Sequence, residues 1–182
     1  YQIDFTKPYI LMMQHPVTTT PEEGRAQVEK TLAALKDREE QKIVMWPNID
    51  AGSDLVSRGI RIFRENNSDS NFAYCKNFPP EIYNCILKNA VCAVGNSSSF
   101  IREASFLGTP SVIVGDRQEG REHGGNVVLA DYDTEEIAKC VEAQIAHGRY
   151  EAETIFGKGN AGEIIADYLA KVELSIHKRM TY

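Results

Sequence analysis

The stretch VCAVGNSSSFIREASFLGTPSVIV, residues 91–114, contains one complete structural unit. Val91 to Val94 is a short, unbroken apolar run, Gly95 to Ser99 is a turn of small polar residues, Ser98 to about Leu107 reads as a helix, and Ser111 to Val114 is a second apolar run. Strands that read as continuous apolar runs, rather than alternating ones, are buried on both faces, which is the condition of a parallel sheet covered by helices.

The same unit recurs on either side. Tyr9 to Met13 reads as a buried strand, and Thr20-Pro21-Glu22-Glu23 opens a helix with a cap, a first-turn proline and two acids at the positive end of the dipole. Ala26, Val28, Leu32 and Leu35 form its apolar face. Ile43 to Trp46 is the next strand, Ser53 to about Arg64 a helix with Leu55, Ile60 and Phe63 inward, Phe72 to Cys75 a strand, and Pro80 to Lys88 a helix. After residue 114 follow a strand at Val127 to Leu129 and helices near Thr134 to His147 and Gly162 to Ser175. The fold class expected is α/β, a doubly wound parallel sheet of Rossmann-like type, as one domain over residues 1–182. The polar stretch Asn66 to Ser70 is a loop, and the glycosylation sequon at Asn66 reads as chance.

Bulk properties narrow the function. Charged residues make up 25% of the chain, the net charge is −6, and the Lys and Arg are scattered, so nothing offers a duplex the basic stripe that phosphate neutralisation needs. Nucleic acid is not an expected partner. No apolar run approaches the roughly 20 residues that span a bilayer, and the chain opens without a secretory pattern, so a soluble, cytoplasmic protein without a membrane partner is expected. Cys75, Cys85, Cys92 and Cys140 show no CxxC spacing, which removes the zinc and dithiol readings and leaves reduced core thiols.

In open α/β sheets ligands bind beyond the carboxyl ends of the strands, so the loops that follow the apolar runs are the candidate site. Gly95-Asn96-Ser97-Ser98-Ser99 places free amides and hydroxyls at a helix start, which suits a diphosphate, although an ordinary N-cap with spare serines has the same composition. Glu103, on the helix that this loop opens, can accept from ribose hydroxyls or lie solvated. Arg117 and Arg121, set among Gly115, Gly120, Gly124 and Gly125, suit a phosphate clamp; the alternative is a charged surface turn. His15 ends the first strand in QHPVTT, where an imidazole can donate to a phosphate, share a proton or simply hold structure. In Pro47-Asn48-Ile49-Asp50-Ala51-Gly52-Ser53, helix capping accounts for Asp50 and Ser53 and leaves Asn48 without a reason.

QHPVTT at Gln14 to Thr19, PNIDAGS at Pro47 to Ser53 and GNSSSFIREASFLGTPSVIVGDRQEGRE at Gly95 to Glu122 together resemble the hydrolysing UDP-N-acetylglucosamine 2-epimerases, most closely the sialic-acid-pathway branch. The chain departs from many relatives at Phe100, where they carry glycine. The resemblance implies two Rossmann-like domains facing each other, as in B-type glycosyltransferases, with this chain as the C-terminal, UDP-binding one and its N-terminal partner domain outside it. It implies elimination of UDP from UDP-N-acetylglucosamine to a 2-acetamidoglucal, then hydration to N-acetylmannosamine, with no metal, nicotinamide or other cofactor. It places Ser97 and Ser98 at the diphosphate, Glu103 at the ribose, Arg117 and Arg121 at the phosphates, His15 at the leaving group, and Asn48 and Asn77 at further UDP contacts, Asn77 towards the uracil.

The family's catalytic acids lie in its first domain, so the chain alone is expected to be inactive. The family also associates into dimers. Three other readings share these residues: a relative acting on another 2-acetamido sugar nucleotide of the diacetylbacillosamine type, a non-catalytic sugar-nucleotide-binding module, and the C-terminal half of a glycosyltransferase.

Overall fold

The computed structural model describes residues 3–67 and 71–173. Ser68 to Ser70 of the expected loop, and Leu174 and Ser175 of the expected last helix, lie outside these residues. Among the described residues, six parallel strands form one sheet in the order β3-β2-β1-β4-β5-β6: β1 Tyr9–Met13, β2 Gln41–Met45, β3 Phe72–Cys75, β4 Cys92–Gly95, β5 Ser111–Val114 and β6 Val127–Ala130. The helices are α1 Gly24–Leu35, α2 Ser53–Asn66, α3 Pro80–Asn89, α4 Arg102–Leu107, α5 Thr134–His147 and α6 Ala161–Lys171. The doubly wound parallel class expected from the apolar runs is the one observed.

Two apolar layers flank the sheet because consecutive strand residues point to opposite faces. Ile10, Met12, Val44, Val94 and Val112 pack on one side with Val28, Leu32 and Leu35 of α1, Val56 and Ile60 of α2, and Ile137 and Val141 of α5. Leu11, Ile43, Ala93 and Ile113 pack on the other with Ile86 and Leu87 of α3, and with Phe100, Ile101 and Ala104. Phe100 is therefore a core residue of the α3 side.

Several local expectations need correction. Ala26 is exposed, and the inward stripe of α1 instead includes the polar Gln27 and Thr31. Thr31 donates to the Gln14 side chain at 2.6 Å, so a polar pair is hidden in the core beside the apolar stripe of α1. Leu55 is only half-buried, and the inward face of α2 is Val56, Gly59 and Ile60. A Cβ at Gly59 would stand 2.7 Å from Val28 Cγ1, so α1 and α2 meet at that glycine and the helix rotates to present it. Cys85 is exposed on the outer face of α3, unlike the buried Cys75 and Cys92 and the partly buried Cys140.

Thr20 makes no side-chain cap; Pro21–Glu23 forms a 3-10 turn before α1. Asp50 and Ser53 do not cap α2 with their side chains either, because Gly52, left-handed at φ 88°, occupies the N-cap position. No described helix is long and apolar enough to cross a membrane.

Register brings the loops to one edge. Met13 pairs with Met45 and Gly95, Met45 with Cys75, and Gly95 with Ile113, so the chain leaves these strands side by side at their carboxyl ends. The strand order reverses between β1 and β4, and the loops after those two strands diverge to opposite faces and open a crevice. Gly95 makes the close approach of these loops feasible. Its φ is +135°, and a Cβ there would lie 2.0 Å from the Met13 carbonyl oxygen.

Candidate active site

A cavity of about 340 Å³ opens at this reversal, lined by His15, Asn48, Asn77, Ser97, Ser98 and Arg117 among others. Residues from the loops after β1, β2, β3, β4 and β5 thus share one wall, although they are spread over a hundred positions of sequence. Among the described residues, no group of three or more His, Cys, Asp or Glu side chains is set to hold a metal ion.

His15 is 4% exposed and held on three sides. Its main-chain N–H donates to Asn96 Oδ1 at 2.7 Å, and its carbonyl accepts from Asn96 Nδ2 at 2.8 Å. The Asn48 main-chain N–H donates to His15 Nδ1 at 3.1 Å, so the neutral ring carries its proton on Nε2. Burial, then the Arg117 charge, pushes the imidazole down to about 4, against the opposing pull of Asp50. At neutral pH the ring is an uncharged donor. The contact is made by the Asn48 main chain, so it orients the histidine without selecting asparagine at this position.

Arg117 Nη1 donates to the Asn96 carbonyl at 3.1 Å, and Nη2 stands 3.9 Å from Asp50 Oδ2, at the outer limit of an ion pair. Both side chains are partly exposed, so this pair orients the guanidinium more than it stabilises the fold.

The serine turn is tighter than expected. Ser98–Phe100 is a 3-10 turn, and α4 starts only at Arg102, so the turn fronts a six-residue helix with little dipole of its own. Its donors are hydroxyls and loop amides. Ser97 Oγ receives the Ser99 N–H at 3.4 Å and lies 2.9 Å from Ser99 Oγ, which in turn is 2.5 Å from the Tyr83 hydroxyl. Burial, opposed by the Ser99 hydrogen bond and reinforced by Glu103, pushes the Tyr83 phenol up to about 12 and keeps it protonated.

Glu103 and Arg121 lie apart from this cavity. Glu103 is exposed and lines an adjoining groove of about 380 Å³ with Asn84, Arg102 and Phe106, within electrostatic reach of Tyr83. Arg121 is exposed on a third depression, rimmed by Asp116, Glu119, Glu122 and Asp131. Asn77 is exposed at the mouth, where its Oδ1 accepts from the Phe78 N–H at 2.9 Å. Asn96, Gln118 and Tyr83 were not selected from the sequence. Asn96 sat inside the quoted serine loop, but its complete burial has no local signal.

A doubly wound parallel sheet with a donor-lined cavity at its chain reversal has the architecture of the Rossmann-like α/β proteins, which take ligands at the carboxyl ends of their strands. The sequence model of the family described as UDP-N-acetylglucosamine 2-epimerase matches residues 2–170, and the chain belongs to that family. It is 32% identical over 152 residues to the UDP-N-acetylglucosamine 2-epimerase of Neisseria meningitidis serogroup B, covering 84% of this chain and 39% of that protein. It is 26% identical over 174 residues to the hydrolysing UDP-N,N'-diacetylbacillosamine 2-epimerase of Legionella pneumophila, covering 96% of this chain and 45% of that one. The chain therefore spans less than half the length of these relatives. In fold it matches the crystal structure of the Neisseria meningitidis UDP-GlcNAc 2-epimerase bound to UDP-GlcNAc, with a TM-score of 0.73 and 17% identity over 93% of this chain and 46% of that one.

Proposed function

We propose that this chain is the UDP-holding half of a hydrolysing UDP-N-acetylglucosamine 2-epimerase that acts in the cytoplasm and releases N-acetylmannosamine for sialic acid synthesis. The observation that carries the reading is the convergence of His15, Ser97, Ser98 and Arg117 on one cavity at the strand-order reversal. A diphosphate there meets one fixed cation, the serine hydroxyls and an uncharged imidazole donor, a set suited to an anion whose charge grows as it leaves.

In the elimination, a base takes the proton from C2 of the sugar, the bond between C1 and the phosphate oxygen breaks, and UDP departs with the electron pair. Water then adds across the glucal double bond. His15, through Nε2–H, and Arg117 stabilise the departing phosphate, while Glu103 accepts from the ribose by way of the adjoining groove, with Asn48 and Asn77 at the nucleoside side. Arg121 is assigned to the phosphates only after its loop moves inward. The acids for proton removal and hydration belong to a facing N-terminal domain, and the assembled protein is a homo-oligomer. The Legionella pneumophila similarity favours one second reading, the same chemistry on a diacetylbacillosamine nucleotide.

Proton NMR of UDP-N-acetylglucosamine in D2O with this chain tests the reading in one tube. Broadened uracil lines without N-acetylmannosamine signals are expected. Uracil lines that stay sharp at millimolar protein would remove the cavity from the UDP site, and turnover would place the acids within this chain.

A further inference from the structure

We propose that Asn96 is a positioning residue of the site, which holds His15 and Arg117 in one geometry across the gap between β1 and β4. The inference rests on reading the cavity as a UDP diphosphate site, and it concerns a residue that makes no contact with ligand.

Asn96 is fully buried, and its amide N–H, carbonyl and both side-chain heteroatoms make hydrogen bonds. Its N–H donates to the Met13 carbonyl at 3.2 Å, its side chain exchanges two hydrogen bonds with the main chain of His15, at 2.7 and 2.8 Å, and its carbonyl accepts from Arg117 Nη1 at 3.1 Å and Gln118 Nε2 at 2.7 Å. Complete burial leaves none of these atoms open to a ligand. A buried amide of this kind costs desolvation, which its hydrogen bonds offset only when all of them form together. The result is that the loops after β1, β4 and β5 move as one piece, and Asn48 adds the loop after β2 through His15 Nδ1.

The chemistry selects asparagine. The main chain of His15 offers one donor and one acceptor, and only a primary amide of this length answers both. An aspartate would set a carboxylate oxygen against the His15 carbonyl, and an alanine would leave both groups unpaired. The β1–β4 register, with Met13 opposite Gly95, and the positive φ of Gly95 put residue 96 where its side chain reaches back across β1. The charged groups that bear on His15 are Arg117 and Asp50, and the Tyr132 phenol lies beside Asn96.

The test reads His15 directly, by long-range ¹H–¹⁵N NMR of its imidazole in the full chain without ligand. Wild type is expected to show the Nε2–H tautomer and to titrate near 4. Asn96→Ser, which removes both side-chain bonds to His15 without adding a charge, is expected to mix the tautomers and weaken UDP binding by about tenfold. A folded Asn96→Ser chain with the wild-type tautomer and UDP affinity would overturn the proposal. Should that variant not fold, Asn96→Asp is read by the His15 tautomer alone. If neither folds, the double-mutant cycle between His15→Ala and Arg117→Ala decides, with additive losses of UDP affinity counting against a shared anchor. Wild type that fails to bind UDP would sink the diphosphate reading alone, because the tautomer and titration measurements need no ligand.

Discussion

At the scale of single residues, one cavity sets a neutral His15 imidazole beside the Arg117 guanidinium. Arg117 is the cation aimed at the proposed diphosphate, so Arg117→Ala is expected to weaken UDP binding by about 1.5 to 3 kcal/mol, the range for one charge-assisted hydrogen bond. Titration calorimetry checks this, and unchanged affinity would take Arg117 out of the site. His15 adds a pH signature to stability. Its folded value near 4 lies below its ordinary value of 6.5, so the unfolded chain binds the extra proton between those limits. Stability from this group is complete above about pH 6.5 and falls as pH drops towards 4, with a limiting slope of about 1.4 kcal/mol per pH unit. Urea unfolding across that range should show His15→Gln with a shallower pH dependence than wild type.

At the scale of elements, the crevice depends on how closely β4 passes β1. Gly95→Ala adds a methyl 2.0 Å from the Met13 carbonyl, at a φ that side chains rarely adopt. A loss of at least about 2 to 3 kcal/mol in urea unfolding is expected, because both the clash and the backbone strain act on two central strands. A midpoint equal to wild type would mean that β1 and β4 part without cost. The short 3-10 turn and α4 carry a related lesson. Phe100 and Ile101 are needed in the core behind the serine turn, and burying both at the start of one helix tightens its first turn instead of extending a regular dipole.

At the scale of the whole molecule, stability is unevenly distributed. The central strands are buried on both faces, whereas α6 has no buried residue and presents Ile164, Ile165, Tyr168 and Leu169 at 59, 57, 65 and 56% exposure. Hydrogen exchange should therefore show α6 amides with little protection while β1 and β4 exchange only by global unfolding. Protection of α6 equal to the strands would show that this chain covers that face in solution, by self-association or otherwise.

The unbroken apolar runs placed the strands, the parallel sheet and the edge at which to look for a ligand, because most positions of a strand covered on both faces are apolar; they left out the buried Lys42 of β2, whose ammonium is held by the Arg38 carbonyl and the Asn71 side chain. Loop composition marked His15, Ser97, Ser98 and Arg117 as candidates without separating a ligand site from caps and surface turns, and the fold brings those four to one cavity. Burial of polar residues was not legible. Gln27 and Thr31 face inward in place of Ala26, and Asn96 disappears beneath the loops, because a polar side chain is stable in a core only when a distant partner satisfies it, and that partner is known only once the chain is folded. The same holds for the grouping of site residues. Whether Glu103, Arg117 and Arg121 share a wall depends on how the short α4 and the glycine-flanked loop after β5 are packed, and sequence spacing contains no information about that packing.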